Sequence, residues 1–184
     1  MNWEINFQIT DLQLIRLIQR KCTKKPSQAS AQAQCIEKAL KALKNSFNKN
    51  QYLGARAELL FLAYLNRDSK TIDSHFRRRL FSVEIDVFEC SILENNHRRK
   101  CLFSGDLEEA LSSFSDKANS LCLDFFEIKS MSGKLYQEKR VSKNQKKRQS
   151  QVAMHLYSMG FDNIQFYDVF VSESKIDIRK RELW

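Results

Sequence analysis

Between residues 80 and 90 the hydrophobic period of this chain changes, and that change constrains its fold more than any other feature. Phe81, Val83, Ile85 and Val87 alternate with Ser82, Glu84, Asp86 and Phe88, a two-residue repeat that describes a strand and carries Glu84 and Asp86 on one side of it. Upstream the period is helical. Leu14, Leu17 and Ile18 follow a capping box at Thr10 and Gln13. Ile36, Ala39, Leu40 and Leu43 form a second stripe, and Ala57, Leu60, Phe61 and Tyr64 a third. The spacing predicts one helix ending near residue 22, a second over 28–47 and a third over 52–65, with Lys24, Lys25, Pro26 and Ser27 punctuating the chain between the first two.

Downstream, LCLDFFEIK at 121–129 is apolar on both faces and charged only at its end, as expected of a central strand that delivers side chains to a cleft. Segment 91–119 is polar and reads as an irregular excursion with a short helix near 107–114. A cationic helix over 143–159 stops at Gly160, and IQFYDVFV at 164–171 reads as a third strand. The order helix, strand, strand, helix, strand implies the α/β class, a mixed central sheet flanked by helices with an N-terminal helical extension. At 184 residues the chain fits one domain. Its expected parts are N-terminal helices over 1–50, a core over 51–171 and a C-terminal tail over 172–184.

Composition narrows the function classes. The chain is 42% hydrophobic with thirteen Phe, so it can bury a core. Lys and Arg number 31 against 22 acids, giving +9, a balance that favours a polyanionic partner such as nucleic acid. No apolar run approaches the roughly 20 residues that span a bilayer, and the opening MNWEINFQIT has neither a basic nor an apolar leader region. The five cysteines form no CxxC pair and read as reduced thiols. The expectation is an intracellular protein with no membrane partner, nucleus and cytoplasm not being distinguished. His75, His97 and His155 fit no metal-ligand spacing, and no Ser/His/Asp or Cys/His arrangement stands out, which disfavours a hydrolase with a covalent nucleophile.

Carboxylates are better supplied. Two carboxylates at i and i+2 on a strand, Glu84 and Asp86, stand about 7 Å apart and repel one another without a cation between them. Glu127 and Lys129 repeat that geometry with opposite charges, so the Glu can ligate a metal while the Lys touches a water or a phosphate. Phosphodiester hydrolysis needs such a set, several carboxylates on a hard divalent ion plus a positioned cation.

The motifs Gly54-Ala-Arg-Ala-Glu58, Glu84-Ile-Asp86-Val87 and Glu127-Ile128-Lys129-Ser130, in that order, resemble the PD-(D/E)XK nuclease superfamily and, within it, the DXO family of decapping exoribonucleases. The resemblance spans about residues 52–171. It implies that Glu58, Asp86 and Glu127 hold Mg²⁺ or Mn²⁺, that Glu84 assists, and that Lys129 and Gln151 touch the water or phosphate. Gln149 is the rival to Gln151. Beside such a cleft Lys143, Lys146, Lys147 and Arg148, with Lys139 and Arg140 before them, form a rail for a nucleic-acid backbone. The function implied is a metal-dependent nuclease acting on RNA 5′ ends, RNA being favoured over DNA. The alternatives are a DNA endonuclease of the same superfamily and a catalytically silent nucleic-acid-binding module. The same charges also fit plainer roles: a cross-strand ion-pair ladder, an exposed helical Glu58 and a solubilising helix face.

Overall fold

The computed structural model describes residues 2–22, 31–45, 47–94, 97–103, 105–131 and 143–182. The punctuating residues 24–27 and the cations Lys139 and Arg140 lie outside the described residues. Within them the chain runs β1 (Asn2–Asn6), α1 (Asp11–Cys22), α2 (Ala31–Lys44), α3 (Lys49–Leu65), β2 (His75–Leu80), β3 (Val83–Glu94), β4 (His97–Cys101), α4 (Leu107–Ser112), β5 (Leu121–Ser130), α5 (Lys143–Ser158), β6 (Asn163–Val171) and β7 (Lys175–Arg181).

Local chemistry sets several of these boundaries. Thr10 Oγ1 accepts from the Gln13 amide at 3.3 Å while the Thr10 amide donates to Gln13 Oε1 at 2.9 Å, the reciprocal capping box that starts α1. Asn48 caps α3 by accepting from the Gln51 amide at 3.2 Å. The far end of α3 is closed by Lys21, whose buried ammonium donates to the carbonyls of Asn66, Arg67 and Ser69. Burial holds the pKa of Lys21 below the usual ammonium value, and three carbonyl acceptors offset the desolvation. Gly160, at φ +89°, takes the left-handed position that ends α5.

The architecture is α/β with a mixed sheet, as the period changes implied. Its path is β1-β7-β6-β5-β3-β2, with β4 pairing β3 off that path. Only β5 and β6 pair in parallel among the described strands, and α5 makes the crossover that a parallel pair requires. Two cores lie on the two faces. Residues of α1, α2 and α3 pack against Phe126, Ile128, Val169 and Ile176, while residues of α4 and α5 pack against Leu121, Leu123, Phe125 and Phe166. Alternate residues of β5 therefore serve opposite layers, and its first eight residues are all buried.

Four strands escaped the sequence reading. In β2, HFRRRL, three arginines mask a paired strand. In β4, HRRKC, similar polarity made an edge strand look irregular. The short β1 falls in the stretch read as helical. Residues 172–184, expected to be a tail, contain β7, which pairs antiparallel with both β6 and β1. Ile176 and Ile178 alternate with charged residues there, the pattern of a half-buried strand, and both are buried.

Ile176, 0% exposed, distinguishes strand from tail in solution. Ile176→Ala is expected to lower stability by about 2–5 kcal/mol through the cavity it leaves, measured by urea denaturation. A loose tail would give a change within about 0.5 kcal/mol.

Candidate active site

The sheet divides near its middle. Pairing between β3 and β5 runs from Ile92 with Leu121 to Val87 with Phe126 and stops there; beyond that point β3 stays with β2 and β5 with β6. Asp86 and Glu127 are the first residues past the last pair. In place of a ladder bond, the Ile128 amide donates to the Asp86 carboxylate, Oδ2, at 2.7 Å. A side chain thus satisfies the donor that the parting strands leave behind.

Around this fork the candidate residues gather. Glu127 is buried, accepts from Lys129 Nζ at 2.5 Å, and takes two amide donors from α5, Gln145 Nε2 and, at 3.1 Å, Gln149 Nε2. Glu58 reaches the fork from α3, on the opposite face, and is gripped in bidentate fashion by Arg77, with Nε at 2.7 Å and NH2 at 3.1 Å. Glu84 is exposed, yet its charge is felt at both Glu58 and Arg77. Asp168 lies beside Glu127 in register on β6 and is held by Arg181 from β7.

The backbone of β2 is bent to make this arrangement. The register carries Arg77 opposite Asp86, and the ladder is interrupted at that pair. Arg77 has φ +45°, a left-handed conformation that is uncommon for a residue with a side chain and costs on the order of 1–3 kcal/mol. Strict alternation consequently fails here. Phe76 and Val87 belong to the core of α1–α3, whereas Leu80 and Ile85, at the same parity, belong to the core of α4 and α5. Two bonds from α2 hold the strand, Gln32 Nε2 to the Ser74 carbonyl at 2.9 Å and Cys35 Sγ to the Arg77 carbonyl at 3.8 Å.

Electrostatics confirm a crowded set of acids. Burial pushes the pKa of Asp86 up to about 8, aided by the charges of Glu127 and Glu58 and opposed by the Ile128 amide and Lys129. Glu58 is also raised, first by burial, against which the Arg77 hydrogen bond and charge act; Glu84 and Glu127 then add repulsion. The chemistry of this donor set, oxygen atoms only, suits a hard divalent ion. The side chains as they stand do not yet form a cage: among the described residues no three His, Cys, Asp or Glu side chains are grouped to hold a metal. Arg77 and Lys129 bring positive charge into the cluster, and Arg181 adds a third beside Asp168.

The structure thus brings Glu58, Asp86, Glu127 and Lys129 to one fork, with Glu84 at its rim. Gln151 does not join them. It is exposed on the outer face of α5, and the glutamine that meets Glu127 is Gln149, which is buried. The reason is helical pitch, since two residues turn the side chain about 200°. Gln149 Oε1 is buried without a hydrogen-bond partner among the described residues, leaving an acceptor open at the fork. Lys143, Lys146, Lys147 and Arg148 are exposed along α5. Sequence reasoning missed Gln145, the Asp168–Arg181 pair and the specific role of Arg77. A neighbouring i−4 glutamine was a signal for Gln145; nothing local pointed to the other two. Comparison with family models, curated proteins and solved structures found no match to the chain.

Raised carboxyl pKa values make stability depend on pH. Between about pH 4, where an unfolded Asp ionises, and about pH 8, where folded Asp86 does, the native state holds a proton that the unfolded chain has released. Stability therefore falls as pH rises through this window. Asp86→Asn, which keeps an acceptor for the Ile128 amide, is expected to flatten that fall, read from urea midpoints at about pH 5 and about pH 8. An unchanged slope would show that Asp86 is ordinarily acidic.

Proposed function

We propose that this chain is a divalent-metal-dependent nuclease that hydrolyses phosphodiester bonds. The observation that carries the reading is the fork between β3 and β5, where Asp86, Glu127 and Glu58 come within one another's fields beside Lys129. Mutually repelling, partly buried carboxylates are an expensive arrangement, and a hard cation relieves it.

Asp86 and Glu127 would hold Mg²⁺ or Mn²⁺, joined by Glu58 once Arg77 releases it. When bound, such an ion neutralises developing charge on the scissile phosphate and lowers the pKa of its water. The chain's own residues supply the rest. Gln149 and Gln145 fix the carboxylate of Glu127, and the Ile128 amide fixes that of Asp86. Lys129 presents its ammonium next to Glu127, where it orients the attacking water or the phosphate. Glu84, at the rim, adds negative charge facing Arg77. The exposed cations of α5, Lys143, Lys146, Lys147 and Arg148, hold the backbone of the strand. RNA is favoured over DNA, with action at a 5′ end, on the family resemblance alone; a DNA endonuclease uses the same constellation.

A second reading has its own observation. Each carboxylate at the fork already has a protein partner, and no three of them are grouped for a metal among the described residues. That arrangement suits a catalytically silent module that binds nucleic acid through its positive face.

Cleavage of labelled RNA and DNA with and without Mn²⁺ separates the two. The nuclease reading expects Mn²⁺-dependent cleavage that Glu127→Ala abolishes and that Gln149→Leu lowers by roughly 10- to 100-fold, a larger loss than Gln151→Leu causes. Salt-sensitive binding without cleavage supports the silent module. Arg77→Ala, by freeing Glu58, is expected to enlarge the thermal stabilisation given by Mn²⁺; a smaller shift than wild type would mean that Arg77 does not compete with the ion.

A further inference from the structure

The tip of the β2–β3 hairpin is built in an unusual way. Phe81 and Ser82 have φ values of +48° and +64°, the two left-handed residues of a tight hairpin turn that Asn-Gly would make without strain. A bulky aromatic there is a genuine outlier. Its amide donates to the carboxylate of Glu108 on α4, which pins the tip. The ring is only partly buried and lies against the imidazole of His155 on α5, with ring centroids 4.9 Å apart and planes at 36°.

That contact sits at the end of the cationic helix face. Arg148, Gln151 and His155 are spaced by three and four residues, hence lie on one stripe of α5, and all are exposed. Beside that stripe Lys147 and Met154 are exposed, the latter by 63%. On the hairpin side Arg79 is also exposed. Cations that track a phosphate backbone, followed by rings that solvent reaches, are the two ingredients of single-strand recognition. Bases in a duplex are already stacked on one another, whereas those of a single strand offer their faces.

We propose that Phe81 and His155, flanked by Met154, form a base-stacking platform that selects single-stranded nucleic acid and receives it from the cations of α5. The exposed amide of Gln151 lies between Arg148 and the rings, where it can meet a base edge or a phosphate. As the site's substrate-selecting element this rests on the nuclease reading. Asp86 lies three residues into β3 from Val83, about 10 Å at strand rise, and along α5 His155 is about 9 Å beyond Gln149. The hairpin tip is thus within a few nucleotides' length of the fork.

The test uses the full chain and a short fluorescein-labelled oligothymidine, compared by anisotropy with an abasic strand of equal length and with a duplex. Wild type is expected to prefer the base-bearing single strand. His155→Ala and Phe81→Leu, the latter keeping apolar packing at the tip, should each weaken that strand by about tenfold, the loss typical of one unstacked base. Neither should alter the salt dependence. Arg148→Ala should instead weaken all strands alike and reduce the salt slope by about one. Equal affinity for base-bearing and abasic strands, or no effect of either ring substitution, overturns the platform and leaves the rings as packing alone. Mn²⁺-dependent hydrolysis of bis(4-nitrophenyl) phosphate, which carries no base, is measured alongside on wild type. Its absence with base-dependent binding intact defeats the nuclease reading while the platform stands as a binding site. Its presence with base-independent binding defeats the platform alone.

Discussion

The hydrogen bond from the Ile128 amide to the Asp86 carboxylate marks the place where a continuous sheet becomes a forked one. Two strands that pair over six residues must part without leaving a buried donor unsatisfied. A carboxyl oxygen solves this at the cost of placing an acid where water is scarce, which raises its pKa. Once Asp86 is there, the surrounding chemistry follows from compensation. Arg77 crosses to Glu58, Lys129 folds back on Glu127, and two glutamines of α5 donate to the same carboxylate. The fork also explains how side chains from opposite layers share one field. Glu58 belongs to the helices on one face and Glu127 to the face of α5, and only where the strands separate do their charges interact.

A second constraint is the strain of β2. Its two left-handed sites, Arg77 in the strand and the Phe81–Ser82 turn, lie at either end of the short stretch over which the strand changes faces. Such conformations persist only when neighbours over-determine them. Here α2 ties Ser74 and Arg77 by their carbonyls and α4 ties Phe81 by its amide. The hairpin is thus held at both ends by helices from different layers, and what it displays is fixed with it: a guanidinium at the fork and a ring at the tip.

How much of this was legible in sequence depends on what kind of signal each element leaves. Strands buried on one or both faces, β5 and β6, write their burial into composition, and the helices α1 to α3 write theirs into period. Strand β4 owes its place to pairing, and in β2 three arginines separate the buried Phe76 and Leu80, so neither strand showed a clean alternation. Of the site, Glu127 and Lys129 were readable because a fully apolar strand ended in charge. Arg77 was not, because its role depends on a φ value and on a cross-strand neighbour that no local pattern encodes. Gln151 was preferred to Gln149 for want of a phase: the helix was legible, but which of its sides met the sheet depended on residues buried from beyond it.

That phase gives α5 its character. Gln145, Gln149, Val152, Ala153 and Leu156 face the sheet; of these only the two glutamines are polar, and both donate to Glu127. The opposite side carries the exposed lysines, Arg148, Gln151 and His155. A helix buried only by apolar contacts could rotate by a fraction of a turn at small cost. One whose inner amides are bonded to a buried carboxylate cannot, since rotation would strip Glu127 of its donors and leave a desolvated charge. The two hydrogen bonds therefore do more than hold Glu127. They set the azimuth of the whole helix, and with it the direction in which the cations and His155 point, so the outer surface inherits its orientation from the chemistry of the fork.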